Sequence, residues 1–94
     1  MTVYSNEEIN EKLNVFQNWN LINAAIEKDF VLKNFSEALA FIVQIGIEAE
    51  KMDHHPEIFN VYNKVKIRLN THSAKGITDL DFDLAKKIDS AFTK

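Results

Sequence analysis

Two rhythms of apolar and polar positions divide the chain. Ile9, Leu13 and Phe16 recur at helical spacing behind Ser5 and Glu8, which stand three apart as in a capping box, and predict a first helix over 5–17. From Trp19 to Leu32 the period drops to two through Ile26, Lys28, Phe30 and Leu32, and Asn23 supplies a turn, so this stretch predicts a hairpin. Helical spacing then returns. Behind an Asn34 cap, Phe35, Ala38, Leu39, Ile42, Ile45, Ala49 and Met52 form the stripe of the longest helix. Phe41, Val43 and Ile47 lie off that stripe, so this helix is apolar around much of its girth. Such a surface meets either a deeper core or another subunit.

Pro56 cannot continue a helix and biases His55 towards extended geometry, which ends the long helix at 52–54. Val65, Ile67 and Leu69 then alternate with Lys64, Lys66 and Arg68, the pattern of a strand buried on one face. Val61 precedes them, and Asn63 with Lys64 is the expected tight turn between two strands. After Gly76, Thr78 and Asp81 repeat the capping-box spacing, and Leu80, Leu84, Ile88 and Phe92 predict a closing helix. The order α-β-β-α-β-β-α predicts an α+β fold, a four-stranded antiparallel sheet with its helices packed on one face.

Length narrows this to a single domain spanning 1–94, because 94 residues cannot supply a second core. The 46% hydrophobic content is that of a globular chain. Cysteine is absent, which removes disulfides and thiolate metal sites and leaves self-association as the usual extra support for a small domain. A net charge of −3 without a basic stripe argues against nucleic acid as a partner. The stretch Met1–Phe16 lacks a cationic start and an apolar run, and no segment approaches the roughly 20 apolar residues that cross a bilayer, so the expected location is cytoplasmic, with no membrane partner.

Candidate chemistry centres on three histidines at element ends, His54 and His55 at a helix terminus and His72 just past a strand. Imidazoles exchange protons near neutrality, so a site built from several of them suits acid–base work. Zinc is the competing reading, with Glu50, Asp53 or Asp81 to complete a ligand set. Metal motifs, however, place two ligands on one helical face, whereas adjacent His54 and His55 point apart. No cysteine or glycine-flanked serine offers a nucleophile, and Gly46 and Gly76 alone cannot write a phosphate loop. On these residues the chain is a histidine-bearing α+β domain that favours metal-free proton transfer, with no substrate named.

The run EAEKMDHHPEIFNVYNKVKIRLNTHSAKGITDLD, Glu48 to Asp81, resembles the signature of the pterin-4a-carbinolamine dehydratases, also known as dimerisation cofactors of a homeodomain factor. Glu50, His54, His55, Pro56, Tyr62, His72 and Asp81 meet its positions in turn. The likeness extends through Trp19-Asn20 and the long helix, and the family's α-β-β-α-β-β-α fold agrees with the pattern above. Lys66 is a departure, since similar animal members often carry a further histidine there.

The resemblance implies a lyase that dehydrates 4a-hydroxytetrahydrobiopterin to quinonoid dihydropterin and water in tetrahydropterin recycling. Pterin is then the substrate, and no cofactor or metal is implied. His54 and His72 would flank the carbinol and exchange protons with it, while His55 holds the ring. Glu50, one turn before His54, would orient the His54 ring. Asp81 would do the same for His72, or serve only as a helix cap. Trp19 would wall the pocket, or sit in the core as a lone Trp commonly does. Implied partners are further copies of the chain, as homodimer or homotetramer, with a functional link to a pterin-dependent aromatic amino acid hydroxylase. Two other readings remain: a protein-binding module that stabilises a partner's dimers, and an inert fold with unused histidines.

Overall fold

The computed structural model describes residues 1–93. Its elements are α1 (Asn6–Leu13), β1 (Asn20–Ile22), β2 (Ala25–Val31), α2 (Phe35–Met52), β3 (Glu57–Val61), β4 (Lys64–Leu69), a short 3-10 turn (His72–Ala74) and α3 (Asp79–Phe92). The sheet is antiparallel throughout, in the order β1-β2-β4-β3. The α+β arrangement expected from the periodicities is therefore the one observed.

Register decides which side chains face the helices. Phe30 stands opposite Val65, Lys28 opposite Ile67 and Ile26 opposite Leu69 on the covered face. The alternate positions, Glu27, Asp29 and Val31 against Arg68, Lys66 and Lys64, form the open face. Ile26, Ile67 and Leu69 are wholly buried and join Ile45, Leu84 and Ile88 from the helices. Around Phe30 the aromatic rings pack edge-on, with Phe41 and Phe92 each 5.0 Å away and Trp19 at 6.2 Å. Among the described residues no helix is long and apolar enough to cross a membrane.

Lys28 lies on the covered face, where an unpaired charge would be costly. Its ammonium meets Asp89 of α3 at 2.8 Å and rests 4.8 Å from the centre of the Phe30 ring. Trp19 Nε1 donates to the other oxygen of Asp89, so Asp89 accepts from both.

Several expected boundaries shift. α1 stops at Leu13 rather than 17, with Asn14 as its cap, and Phe16 reaches the Phe82 ring from outside the helix. The turn between β3 and β4 is Tyr62-Asn63, one residue earlier than expected. Asn63 exchanges two hydrogen bonds with Leu32, through its backbone carbonyl and its side-chain amide, and this ties it to the end of β2. On α2 the buried arc is Ala38, Phe41, Ile45 and Ala49, whereas Phe35 and Leu39 are exposed. On α3, Phe82 and Ala85 join Leu84 and Ile88 inside, Leu80 is half-buried and Phe92 is more open. Both helices are apolar over more than one side, and the faces that α2 and α3 turn to one another and to the sheet select among those positions.

Candidate active site

The histidine pair is aimed by the way α2 ends. Asp53 takes the left-handed conformation, φ 50° and ψ 43°, and its N–H reaches the carbonyls of Ala49 and Glu50. The His54 N–H returns to the Ala49 carbonyl, so the last turn closes as a Schellman-type cap. Asp is among the few side chains that tolerate this conformation. Pro56 follows and keeps the chain from resuming the helix.

The cap sends the two rings in opposite directions. His54 is 7% exposed, and its Nε2 lies 2.7 Å from Asp81 Oδ1. His55 is exposed, and its Nε2 lies 2.9 Å from Glu50 Oε1. Both carboxylates therefore differ from the pairing implied by the sequence: Asp81 holds His54 instead of His72, and Glu50 holds His55 instead of His54. The reason is geometric. Glu50 projects from the exposed side of α2, where the outward-turned His55 also lies, while Asp81 is fully buried at the start of α3 on the side that receives His54.

Asp81 also completes the capping box of α3, so its capping reading holds, while the ring it orients is that of His54. Its Oδ2 accepts the Thr78 N–H at 2.9 Å and the Thr71 hydroxyl at 2.8 Å, while Oδ1 faces His54. A carboxylate only accepts hydrogen bonds, so the His54 Nε2 must carry the hydrogen, leaving Nδ1 as the nitrogen Asp81 does not engage. Asp81 thereby joins the segment bearing His54 and His55 to the segment Thr71-His72.

His55 and His72 line the same cavity, of about 510 Å³, within the roughly 300–1,000 Å³ typical of small-molecule sites. Its walls include Asn23, Arg68, Asn70 and Lys75. One wall is the β1–β2 turn, in which Asn23 and Ala24 both have positive φ, 49° and 64°, as a two-residue hairpin of the primed type requires. Arg68 fixes that turn by donating to the carbonyls of Ile22 and Asn23, and Asn70 donates to that of Ala24. Hydrogen bonding to Glu27 at 2.6 Å raises the guanidinium of Arg68 above its ordinary value, and Glu57 adds to this. Lys75 also adopts the left-handed conformation, φ 56°, closing the turn after His72.

His54 itself is not among the residues lining the cavity, and neither is Trp19. Trp19 is 4% exposed and packs on Phe30 with its Nε1–H on Asp89, so of its two readings the core one holds. Arg68, Asn70 and Lys75 carried no recognisable signal in the sequence, since each resembles an ordinary strand or turn residue until the fold places it. Thr71 had one available hint, its position directly before His72. No three His, Asp or Glu side chains among the described residues are grouped so as to hold a metal ion.

Comparison with known proteins bears directly on this arrangement. The family model described as pterin 4 alpha carbinolamine dehydratase matches residues 2–91. A protein of Sinorhizobium fredii provisionally named pterin-4-alpha-carbinolamine dehydratase is 51% identical over 87 residues, covering 90% of this chain and 83% of its own length. One of the same provisional name from Sulfurisphaera tokodaii is 45% identical over 93 residues, covering 99% of this chain and all of its own. The crystal structure of a transcriptional coactivator/pterin dehydratase from Brucella melitensis superposes with a TM-score of 0.92 at 40% identity, covering 97% of this chain and 99% of that one. With the histidine pair, His72 and Asp81 standing where the motif requires them, the chain belongs to the pterin 4 alpha carbinolamine dehydratase family.

Proposed function

We propose that the chain dehydrates a 4a-hydroxytetrahydropterin to the quinonoid dihydropterin by histidine acid–base chemistry, without a metal or cofactor, in tetrahydropterin recycling. The observation that carries this reading is the joint at Asp81, which ties both histidine-bearing segments together beside a cavity of small-molecule size. The names of the relatives point to the same substrate class.

In the reaction the bond from the 4a carbon to its hydroxyl breaks, and the hydroxyl takes a proton to leave as water. The neighbouring ring nitrogen gives up its proton as the carbon–nitrogen double bond forms. One group must donate and another accept, and neutral and protonated imidazoles serve the two ends near neutral pH. His72 acts from the cavity wall. His54 acts from the inner position, where Asp81 fixes its ring and leaves Nδ1 for exchange. His55, open to the cavity, holds the flat ring, and Glu50 steadies His55.

The decay of a 4a-carbinolamine, generated by a pterin-dependent hydroxylase, tests this. Chelator-treated wild type should accelerate decay as well as untreated protein, and His54→Ala and His72→Ala should lose at least tenfold, in keeping with the roughly 10²–10⁴-fold that general acid–base groups contribute. Wild-type protein without any effect on the decay would remove the reading.

Self-association belongs to the same proposal, as homodimer or homotetramer, and its surface is the open side of α2. Phe35, Leu39, Val43 and Ile47, four residues apart, expose an apolar line along the helix. A second reading, a binding module for another protein's dimers, draws on that same line and on the coactivator name of the Brucella melitensis protein.

A further inference from the structure

Thr71 and Thr78 take no part in the chemistry proposed above, yet both are buried and both hydroxyls are engaged. Their hydrogen-bond directions can be worked out from the acceptor that ends the chain. Asp81 Oδ2 cannot donate, so the single hydroxyl proton of Thr71 is committed to it at 2.8 Å. Thr71 Oγ1 and Thr78 Oγ1 are 2.8 Å apart, and with Thr71's proton already used, Thr78 must be the donor between them. Thr78 Oγ1 in turn accepts from the Leu80 N–H at the first turn of α3. Every link then has one direction, running from the helix backbone through Thr78 and Thr71 to Asp81 and ending opposite His54.

We infer that Thr71 is a positioning residue for His54, acting through Asp81, with Thr78 as its support. Asp81 receives three donors, the Thr71 hydroxyl, the Thr78 N–H and the His54 Nε2–H. The two that come from the threonines fix where Oδ1 stands, and Oδ1 fixes which nitrogen of His54 carries hydrogen. Removing the Thr71 hydroxyl leaves buried Oδ2 with the Thr78 N–H as its remaining donor and loosens the orientation of the carboxylate. His54 then loses the partner that selects the Nε2–H tautomer. The arrangement uses Asp81 as the buried aspartate of a catalytic triad is used, to hold an imidazole in one tautomer.

This inference rests on the dehydratase reading for its effect on turnover, but its structural content is measurable without substrate. Long-range ¹H–¹⁵N spectra of the labelled full chain read the His54 tautomer directly. Wild type should show the Nε2–H form, Thr71→Val should show a mixture or the Nδ1–H form, and Thr71→Ser should restore the wild-type pattern. With substrate, Thr71→Val should lower kcat by roughly tenfold, as lost support of a functional histidine typically does, with KM within about twofold and rescue by Thr71→Ser. A wild-type tautomer retained in Thr71→Val overturns the inference whatever the rates. A wild type that turns over no carbinolamine removes the functional reading, while the tautomer comparison still decides this one. Should Thr71→Val fail to fold, the wild type alone answers: hydroxyl protons of Thr71 and Thr78 protected from exchange support the chain of donors, and freely exchanging ones refute it.

Discussion

His54 Nε2 lies 2.7 Å from Asp81 Oδ1, a contact between a side chain at the end of α2 and one in the first turn of α3, 27 residues apart. Neither side chain has appreciable contact with solvent, so the pair is not screened as a surface pair would be. Three of the predictions below follow from this pair and its surroundings.

Asp81→Asn keeps the shape of the side chain but offers an amide where two donors and a histidine expect a carboxylate. Carbinolamine dehydration should fall by about 10² or more, because the tautomer of His54 is no longer imposed. The capping box is weakened in the same variant, and stability should drop by roughly 1–3 kcal/mol. Steady-state rates and a denaturant titration, run on the same preparation, separate the two effects.

Glu50→Gln disturbs the neighbouring pair in a different setting. Both Glu50 and His55 are exposed, and even a fully charged pair so exposed contributes only about 0–1 kcal/mol, so the melting curve should hardly move. Activity should change only a few-fold. A loss as large as that of Asp81→Asn would mean that His55, not His54, is the ring that needs a fixed partner.

At Asp53, a left-handed residue sets the directions of both rings. Asp53→Gly should be neutral or stabilising by up to about 1 kcal/mol, because glycine adopts this conformation without strain. Asp53→Val should cost roughly 1–2 kcal/mol and lower turnover along with stability. Equal activity in the two variants would show that the cap does not aim the histidines.

On the open side of α2, Val43→Lys places a charge in the exposed apolar line. The side chain touches little of the chain's own core, so the folded monomer should persist. Light scattering should show the wild type larger than one chain and the variant reduced in mass. A wild type that sizes as a monomer would count against self-association through this surface.

The N-terminal capping box gives a pH signature. Glu8 accepts the Ser5 N–H and interacts with the Ser5 hydroxyl, which lower its carboxyl below the ordinary range of about 4.3. A carboxyl lowered in the folded state contributes stability above its unfolded value and loses it as pH falls through its folded value. The stability gap between wild type and Glu8→Gln should therefore be present at neutral pH and close on the acid side, followed by thermal melts from pH 7 to 3.

Much of the fold is local in origin and was legible in the sequence. The capping boxes at Ser5 and Thr78 and the Asn34 cap form within a few residues, as does the alternation of Val65, Ile67 and Leu69 that makes β4 one-sided. That His54 and His55 must part company also followed from their adjacency at a helix end. The motif from Glu50 to Asp81 marked the family for the same reason, since it is a spacing along the chain. Tertiary structure alone decided which carboxylate meets which histidine, because Glu50 lies one helical turn from His54 while Asp81 lies 27 residues away, and only the packing of α3 against α2 brings Asp81 to it. It also decided that Trp19 belongs to the core, that Phe41 and not Phe35 faces inward, and that Thr71 feeds Asp81. Each of these depends on contacts between elements far apart in the chain, and an apolar or polar pattern along one element cannot carry the position of another.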